Sequence, residues 1–176
     1  MLIHLFDVIT TEGRTIRETC EFSQDQIVFR DGTFKVMDKS PIELKITNTG
    51  KKVLEIVCQT DLRIQIPCDR CLEDTVVDFP LSFTRKVDMS LSEEERINDL
   101  DESSFITATD LDVDQLIYLE VLMNWPLKTL CRPDCKGICS RCGRNLNQGA
   151  CDCTEEPKDP RMAAISDIFR KFKEEV

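Results

Sequence analysis

Ten cysteines are spread unevenly over the 176 residues of this chain. Cys20 and Cys58 stand alone, whereas Cys68 with Cys71, Cys131 with Cys135, Cys139 with Cys142 and Cys151 with Cys153 form four close pairs. Two thiolates separated by two residues can grip one metal ion, and Gly143, just after Cys142, permits the positive φ that such a knuckle often needs. The polar run Arg144-Asn145-Leu146-Asn147-Gln148-Gly149 can then turn the chain back to Cys151 and Cys153. Cys139, Cys142, Cys151 and Cys153 therefore make the simplest complete tetrahedral site, and the expected ion is Zn2+. Cys68 and Cys71 lie over fifty residues before Cys131 and Cys135, so a shared second site requires the fold to bring them together. Eight paired cysteines divide without remainder into two sites of four. That division is preferred to one site drawing its ligands from the six C-terminal cysteines, so one or two zinc ions are expected.

Other uses of these thiols fit less well. The opening residues have no basic start leading into a long apolar run, and no later stretch approaches the ~20 apolar residues of a membrane span. A cytoplasmic location is expected, where thiols stay reduced and metal binding or redox chemistry outranks a disulfide framework. A dithiol catalyst at Cys68 and Cys71 would normally open a helix after a strand, whereas strands are read on both sides of this pair. A catalytic zinc needs an open coordination position, which an all-thiolate site lacks, and His4 is the one histidine and is remote in sequence. His4 reads as a surface or half-buried histidine, and Cys20 and Cys58 as ordinary buried thiols. No phosphate-binding glycine loop, nucleophile elbow or paired-carboxylate constellation stands out. A non-catalytic module with no small-molecule substrate is the expectation.

The formal net charge is -10, and its placement is uneven. Glu93, Glu94, Glu95, Asp99, Asp101 and Glu102 form an acidic stretch, read as a solvated face. Between Lys128 and Cys151 the sign reverses, with Lys128, Arg132, Lys136, Arg141 and Arg144 facing only Asp134. These cations either offset the thiolates, since zinc held by four thiolates carries about two negative charges, or contact nucleic-acid phosphates. Both readings stay open.

The elements that must position the cysteines point to an α+β fold: an antiparallel meander, a covering helix, a cysteine-rich zinc segment and a C-terminal helix. The first 40 residues give only short apolar patches. From Ile42, apolar Ile42, Leu44 and Ile46 alternate with Glu43, Lys45 and Thr47, and Asn48-Thr49-Gly50-Lys51 supplies a turn, predicting a hairpin. The return strand runs from Val53 to Ile66 and stops at Pro67. After the first cysteine pair, Val77, Phe79, Leu81 and Phe83 alternate, with Arg85 and Val87 read as slipped by one, and Pro80 placed near a sheet edge. Ser92 with Glu95 resembles a capping box, and 98–104 reads as a linker. Asp112 with Gln115 starts a helix whose Val113, Leu116, Ile117 and Met123 share a face and which Pro126 ends. Asp159-Pro160 opens a last amphipathic helix carrying Ile165, Ile168, Phe169 and Phe172. The implied division is a β-rich part with its covering helix over 1–126, a cysteine-rich segment over 127–157 and a helix over 158–176.

Taken together, several runs resemble one family. Ile66-Pro67-Cys68-Asp69-Arg70-Cys71-Leu72-Glu73, then Leu111-Asp112-Val113-Asp114-Gln115 leading to Trp125-Pro126-Leu127, are similar to the bacterial and plastid YceD family of large-ribosomal-subunit rRNA accumulation proteins. Cys131-x3-Cys135-Lys136-Gly137-Ile138-Cys139-x2-Cys142-Gly143, Asn145-Leu146-Asn147, Cys151-x-Cys153 and Asp159-Pro160-Arg161 resemble its cysteine-rich branch. The resemblance covers roughly 42 to 172. It implies a role in accumulation of 23S rRNA and assembly of the large subunit, with 23S rRNA or a large-subunit ribosomal protein as partner, and supplies no catalytic residue. Lys128, Arg132, Lys136, Arg141 and Arg144 are the candidates for phosphate contacts. An acidic binder of a basic ribosomal protein is the main alternative, and a thiol oxidoreductase a distant one.

Overall fold

The computed structural model describes residues 1–29, 32–91 and 104–153. The expected acidic helix at Ser92, most of the 98–104 linker and the amphipathic helix from Asp159 lie outside the described residues.

Strand β1 (Leu2–His4), helix α1 (Phe6–Thr10), β2 (Thr15–Cys20), β3 (Gln26–Phe29), β4 (Gly32–Lys39), β5 (Ile42–Asn48), β6 (Val53–Pro67) and β7 (Asp74–Asp88) come first. Two short strands, β8 (Ile106–Thr107) and β9 (Asp110–Asp112), lead into helix α2 (Val113–Met123). All strand pairs are antiparallel, so the fold is α+β, as the alternation pattern implies.

The 15-residue strand β6 organises the larger sheet. Strand β7 pairs with one edge of β6 over its whole length, from Val53↔Asp88 to Pro67↔Asp74. The other edge is shared by β5, from Asn48↔Leu54 to Glu43↔Gln59, and by β4, from Lys39↔Leu62 to Lys35↔Gln65. Strands β4 and β5 thus lie end to end, joined at Ser40-Pro41, where Ser40 N donates to Asp61 O at 2.9 Å and Thr60 Oγ1 to Ser40 O at 3.1 Å. A register shift between Val36 and Asp38 leaves Met37 as an extra, exposed residue, and such a bulge bends its strand. Strand β2 extends the sheet beyond β5, and β3 beyond β4.

Every even-numbered residue of β6 from Leu54 to Ile66 is buried, as are Ile42, Leu44 and Ile46 of β5. The predicted hairpin is present: Asn48 Oδ1 accepts from Gly50 N at 2.9 Å, and Val53 N donates to Gly50 O at 3.0 Å. The register of β7 is unbroken, which corrects the expected slip at Arg85 and Val87. Arg85 points to the inner face with Phe79, Leu81 and Val87 because it has a partner there. Its Nε donates to Oε1 of the buried Glu120 on α2 at 2.6 Å. Pro80 lies in β7, which has β6 as its one paired strand among the described residues.

Helix α2 begins where Asp112 accepts from Asp114 N at 3.1 Å and Gln115 N at 3.3 Å. Val113, Leu116 and Ile117 are buried as predicted, but Met123 is 56% exposed. Glu120 and Val121 complete the inner face instead, and the Met123 sulfur receives Arg85 at 2.9 Å. Beyond the helix, Trp125 packs against Phe29, Phe34 and Phe79, with ring centroids 5.8, 4.8 and 5.7 Å away. These contacts fix where the cysteine-rich segment leaves the core.

Asn48 is 2% exposed, and its Nδ2 donates to Val8 O at 2.8 Å and Ile9 O at 3.0 Å, joining α1 to the hairpin. Replacing Asn48 with Ala leaves those carbonyls unsatisfied and is expected to cost about 1–3 kcal/mol, read as a lowered midpoint of urea unfolding.

Candidate metal centre

Strand β6 ends at Pro67, and the chain turns through Cys68-Asp69-Arg70-Cys71-Leu72 before β7 begins. Leu72 N donates to Cys68 O at 2.9 Å and Cys68 N to Glu73 O at 2.9 Å, with Leu72 in the left-handed region at φ 61°. Strands flank this pair on both sides, as read from the sequence. The segment after Trp125 is clamped alongside: Asp69 N donates to Thr129 O at 2.9 Å, and Thr129 N to Asp69 Oδ2 at 2.6 Å. That clamp delivers Cys131 and Cys135 to Cys68 and Cys71.

The eight paired cysteines gather into two tetrads, Cys68, Cys71, Cys131 and Cys135 in one, and Cys139, Cys142, Cys151 and Cys153 in the other. Within each, all four sulfurs lie within 4.8 Å of one another. Cys68 and Cys135 sulfurs are 3.8 Å apart, and those of Cys71 and Cys131 3.5 Å. A tetrahedral centre with metal–sulfur bonds of about 2.3 Å needs sulfurs roughly 3.8 Å apart, whereas a disulfide needs about 2.05 Å. Either tetrad could hold one metal ion. His4 is exposed and bonds Asp110 at 2.7 Å, and Cys20 and Cys58 are buried.

The tetrads differ in setting. Cys68, Cys71 and Cys135 are 0%, 5% and 2% exposed and form a small core of their own with Leu130 and Cys131. In the second tetrad Cys142 is exposed and the others are half-buried. Burial opposes the Cys68 thiolate, but backbone N–H groups of Cys71, Cys131 and Arg70 more than compensate, lowering its pKa to about 6. Burial, followed by the neighbouring Cys71, Cys135 and Cys68 sulfurs, pushes Cys131 up to about 12. The second tetrad repeats this split. Backbone N–H groups of Cys142 and Arg141 bring Cys139 down to about 6, and the Cys142 side chain, with burial, pushes Cys153 up to about 12. Four thiolates cannot share so small a volume without a cation.

Three residues not singled out for these roles from sequence knit the site together. Arg70 donates through its guanidinium to Cys135 O at 2.8 Å, and its own carbonyl accepts from Ile138 N at 3.0 Å. Gly137 adopts φ +78°, and a Cβ there would meet Arg70 O at 2.9 Å. Asn147 Nδ2 donates to the Cys135 sulfur at 3.3 Å. Gly137 and Asn147 both stand in the cysteine-rich match quoted above, and the type of Gly137 was the signal available. Gly143 does adopt φ +73°, as its knuckle requires. Lys128, Arg132, Lys136, Arg141 and Arg144 are all exposed. Arg132 reaches Asp134 at 3.6 Å, and Arg144 donates to Ala150 O at 2.9 Å.

An antiparallel β-sheet whose central hairpin carries half of a cysteine tetrad, completed by a cysteine-rich tail, defines a module of the α+β class with two tetrads that could each hold a metal ion. Residues 56–169 match the family described as large ribosomal RNA subunit accumulation protein YceD, and the chain belongs to that family. The chain is also similar to a protein of Arabidopsis thaliana named large ribosomal RNA subunit accumulation protein YCED homolog 1, chloroplastic. Identity is 32% over 59 residues, which is 34% of this chain and 17% of that relative. No solved structure matches.

Gly137→Ala forces both a left-handed backbone and an overlap with Arg70 O. It is expected to cost more than about 1 kcal/mol and to raise the reactivity of Cys135 toward a thiol reagent, measured on the metal-free protein.

Proposed function

We propose that this protein is a non-catalytic cytoplasmic factor, stabilised by two zinc ions, that supports accumulation of 23S rRNA and assembly of the large ribosomal subunit. The observation that carries this reading is the position of the basic residues in a member of the YceD family. Lys128, Arg132, Lys136, Arg141 and Arg144 are exposed along a segment to which both cysteine tetrads belong. Cations held on a braced loop lose little freedom on meeting phosphates.

Zinc suits an all-thiolate, tetrahedral set with no open position, so its role here is structural. It would contribute ~10 kcal/mol or more to folding of small sites of this kind. Elemental analysis should find two zincs per chain, Cys68→Ser and Cys151→Ser each losing one. Cys71 and Cys131 are both shifted upward, so at neutral pH zinc entry must displace their protons. Below about pH 6, Cys68 and Cys139 also take up protons. Apparent zinc affinity is therefore expected to fall more steeply with acidification below pH 6 than above it, checked by competition with a chromophoric chelator.

The rRNA reading is tested by binding to 23S rRNA fragments across a salt series. Replacing the five basic residues with Gln should weaken binding and flatten the salt slope by up to about 4 if all five meet phosphates. A second reading, binding of a basic ribosomal protein, is favoured by the net charge of -10 and by the roughly two negative charges on each all-thiolate zinc. RNA binding that is absent or unchanged in the five-residue variant, with a basic large-subunit protein retained, favours this second reading. Thiol oxidoreductase activity would require Cys68 and Cys71 to exchange with disulfide substrates in the zinc-loaded protein, and none is expected.

A further inference from the structure

Resting on the reading of both tetrads as metal sites, we propose that Asn147 is a positioning residue through which the second tetrad sets the metal affinity of the first. Asn147 lies between Cys142 and Cys151, in the loop that the second tetrad closes, yet its side chain faces the first tetrad. The amide orientation is fixed. The Lys136 backbone N–H can only donate, and it lies 2.8 Å from Asn147 Oδ1. Nδ2 therefore faces the Cys135 sulfur, 3.3 Å away. A hydrogen bond to a metal-bound thiolate spreads its charge and orients its lone pairs, and such supporting bonds tune metal affinity.

The loop is built to hold Asn147 there. Asn145 Oδ1 accepts from Asn147 N at 2.9 Å, Leu146 N donates to Gly137 O at 2.8 Å, and Ile138 and Asn145 form a single antiparallel bridge. Gln148, the next residue, donates to Glu73 Oε1 at 2.8 Å, touching the β6–β7 turn itself. Beyond these bonds the loop's one large apolar side chain, Leu146, is only half-buried, and Gln148, Gly149 and Ala150 are exposed. Its two ends are drawn together where Cys139 and Cys142 meet Cys151 and Cys153. Loading the more exposed second tetrad fixes the loop, and the fixed loop presents the Asn147 side-chain Nδ2–H to the buried first tetrad.

Cadmium NMR on the full chain tests this, because each all-thiolate site gives its own resonance, assigned by its loss in Cys68→Ser or Cys151→Ser. Affinity of each site is read by competition with a chelator. Asn147→Asp keeps the acceptor for Lys136 N but replaces the sulfur donor with a carboxylate, and Asn147→Ala removes the donor without adding charge. Both are expected to weaken the first tetrad, by roughly 10–100-fold for Asp. Cys151→Ser should weaken the first tetrad in the parent chain but add nothing beyond about twofold in the Asn147→Asp background. An unchanged first-site affinity in Asn147→Ala, or an equal loss from Cys151→Ser in both backgrounds, overturns the coupling alone. Absence of any resonance overturns the metal reading and the coupling with it.

Discussion

The inward-facing, even-numbered residues of β6 are the contact on which the rest of the molecule is assembled. From Leu54 to Ile66 each is buried, and Cys68, the next in phase beyond Pro67, is 0% exposed. One strand thus runs from the hydrophobic core into the first cysteine tetrad. Every neighbour is placed relative to it, with β7 along one edge and β5 and β4 end to end along the other. Because side chains alternate with a period of two, a slip of one residue against β7 would turn both the core and Arg85 to the wrong face. The ion pair between Arg85 and the buried Glu120 adds a polar check on that register, since either partner alone would be a buried or half-buried charge without its counterpart.

Two kinds of core meet at the end of this strand. The main one is aliphatic and aromatic, and Trp125 closes it against three phenylalanines. The smaller one consists of Cys68, Cys71 and Cys135 with Leu130 and Cys131 around them. Residues 127–153 contain one isolated bridge and no longer element, and their share of buried apolar side chains is the small cluster of Cys135 with the partly buried Leu130 and Cys131. Convergence of the sulfurs organises this segment instead, and a metal ion held by each tetrad would supply the cohesion that dispersion and desolvation supply elsewhere. The result is a loop whose basic side chains are exposed while its cysteines are drawn together.

Much of this was legible in the chain itself. Alternation at Ile42, Leu44 and Ile46 and along β6 identified the hairpin, because one-sided burial leaves a period-two record. Asp112 announced α2, because a side-chain acceptor at that position favours a helix start. The runs around Cys68 and Cys131 carried the family resemblance. Less legible were the first 40 residues, because β1 to β3 are short strands at sheet edges and the bulge at Met37 breaks the alternation of β4. Met123 was misplaced because spacing alone does not reveal that Arg85 rises from β7 to occupy that flank of α2.

Cysteine type and spacing by themselves determined that this chain carries paired thiolates suited to tetrahedral metal binding, since two sulfurs a turn apart are a local property. The sequence also preferred two sites of four, with Cys139, Cys142, Cys151 and Cys153 in one, but whether the remaining two pairs could meet was decided by the tertiary structure. Cys68 and Cys71 meet Cys131 and Cys135 because β6 carries one pair to the sheet's end, and the Asp69–Thr129 clamp brings the other back across some sixty intervening positions. The same is true of Arg70, Gly137 and Asn147. Their roles consist of contacts between segments distant in sequence, and no local pattern records a contact whose partner is set by how the strands pair.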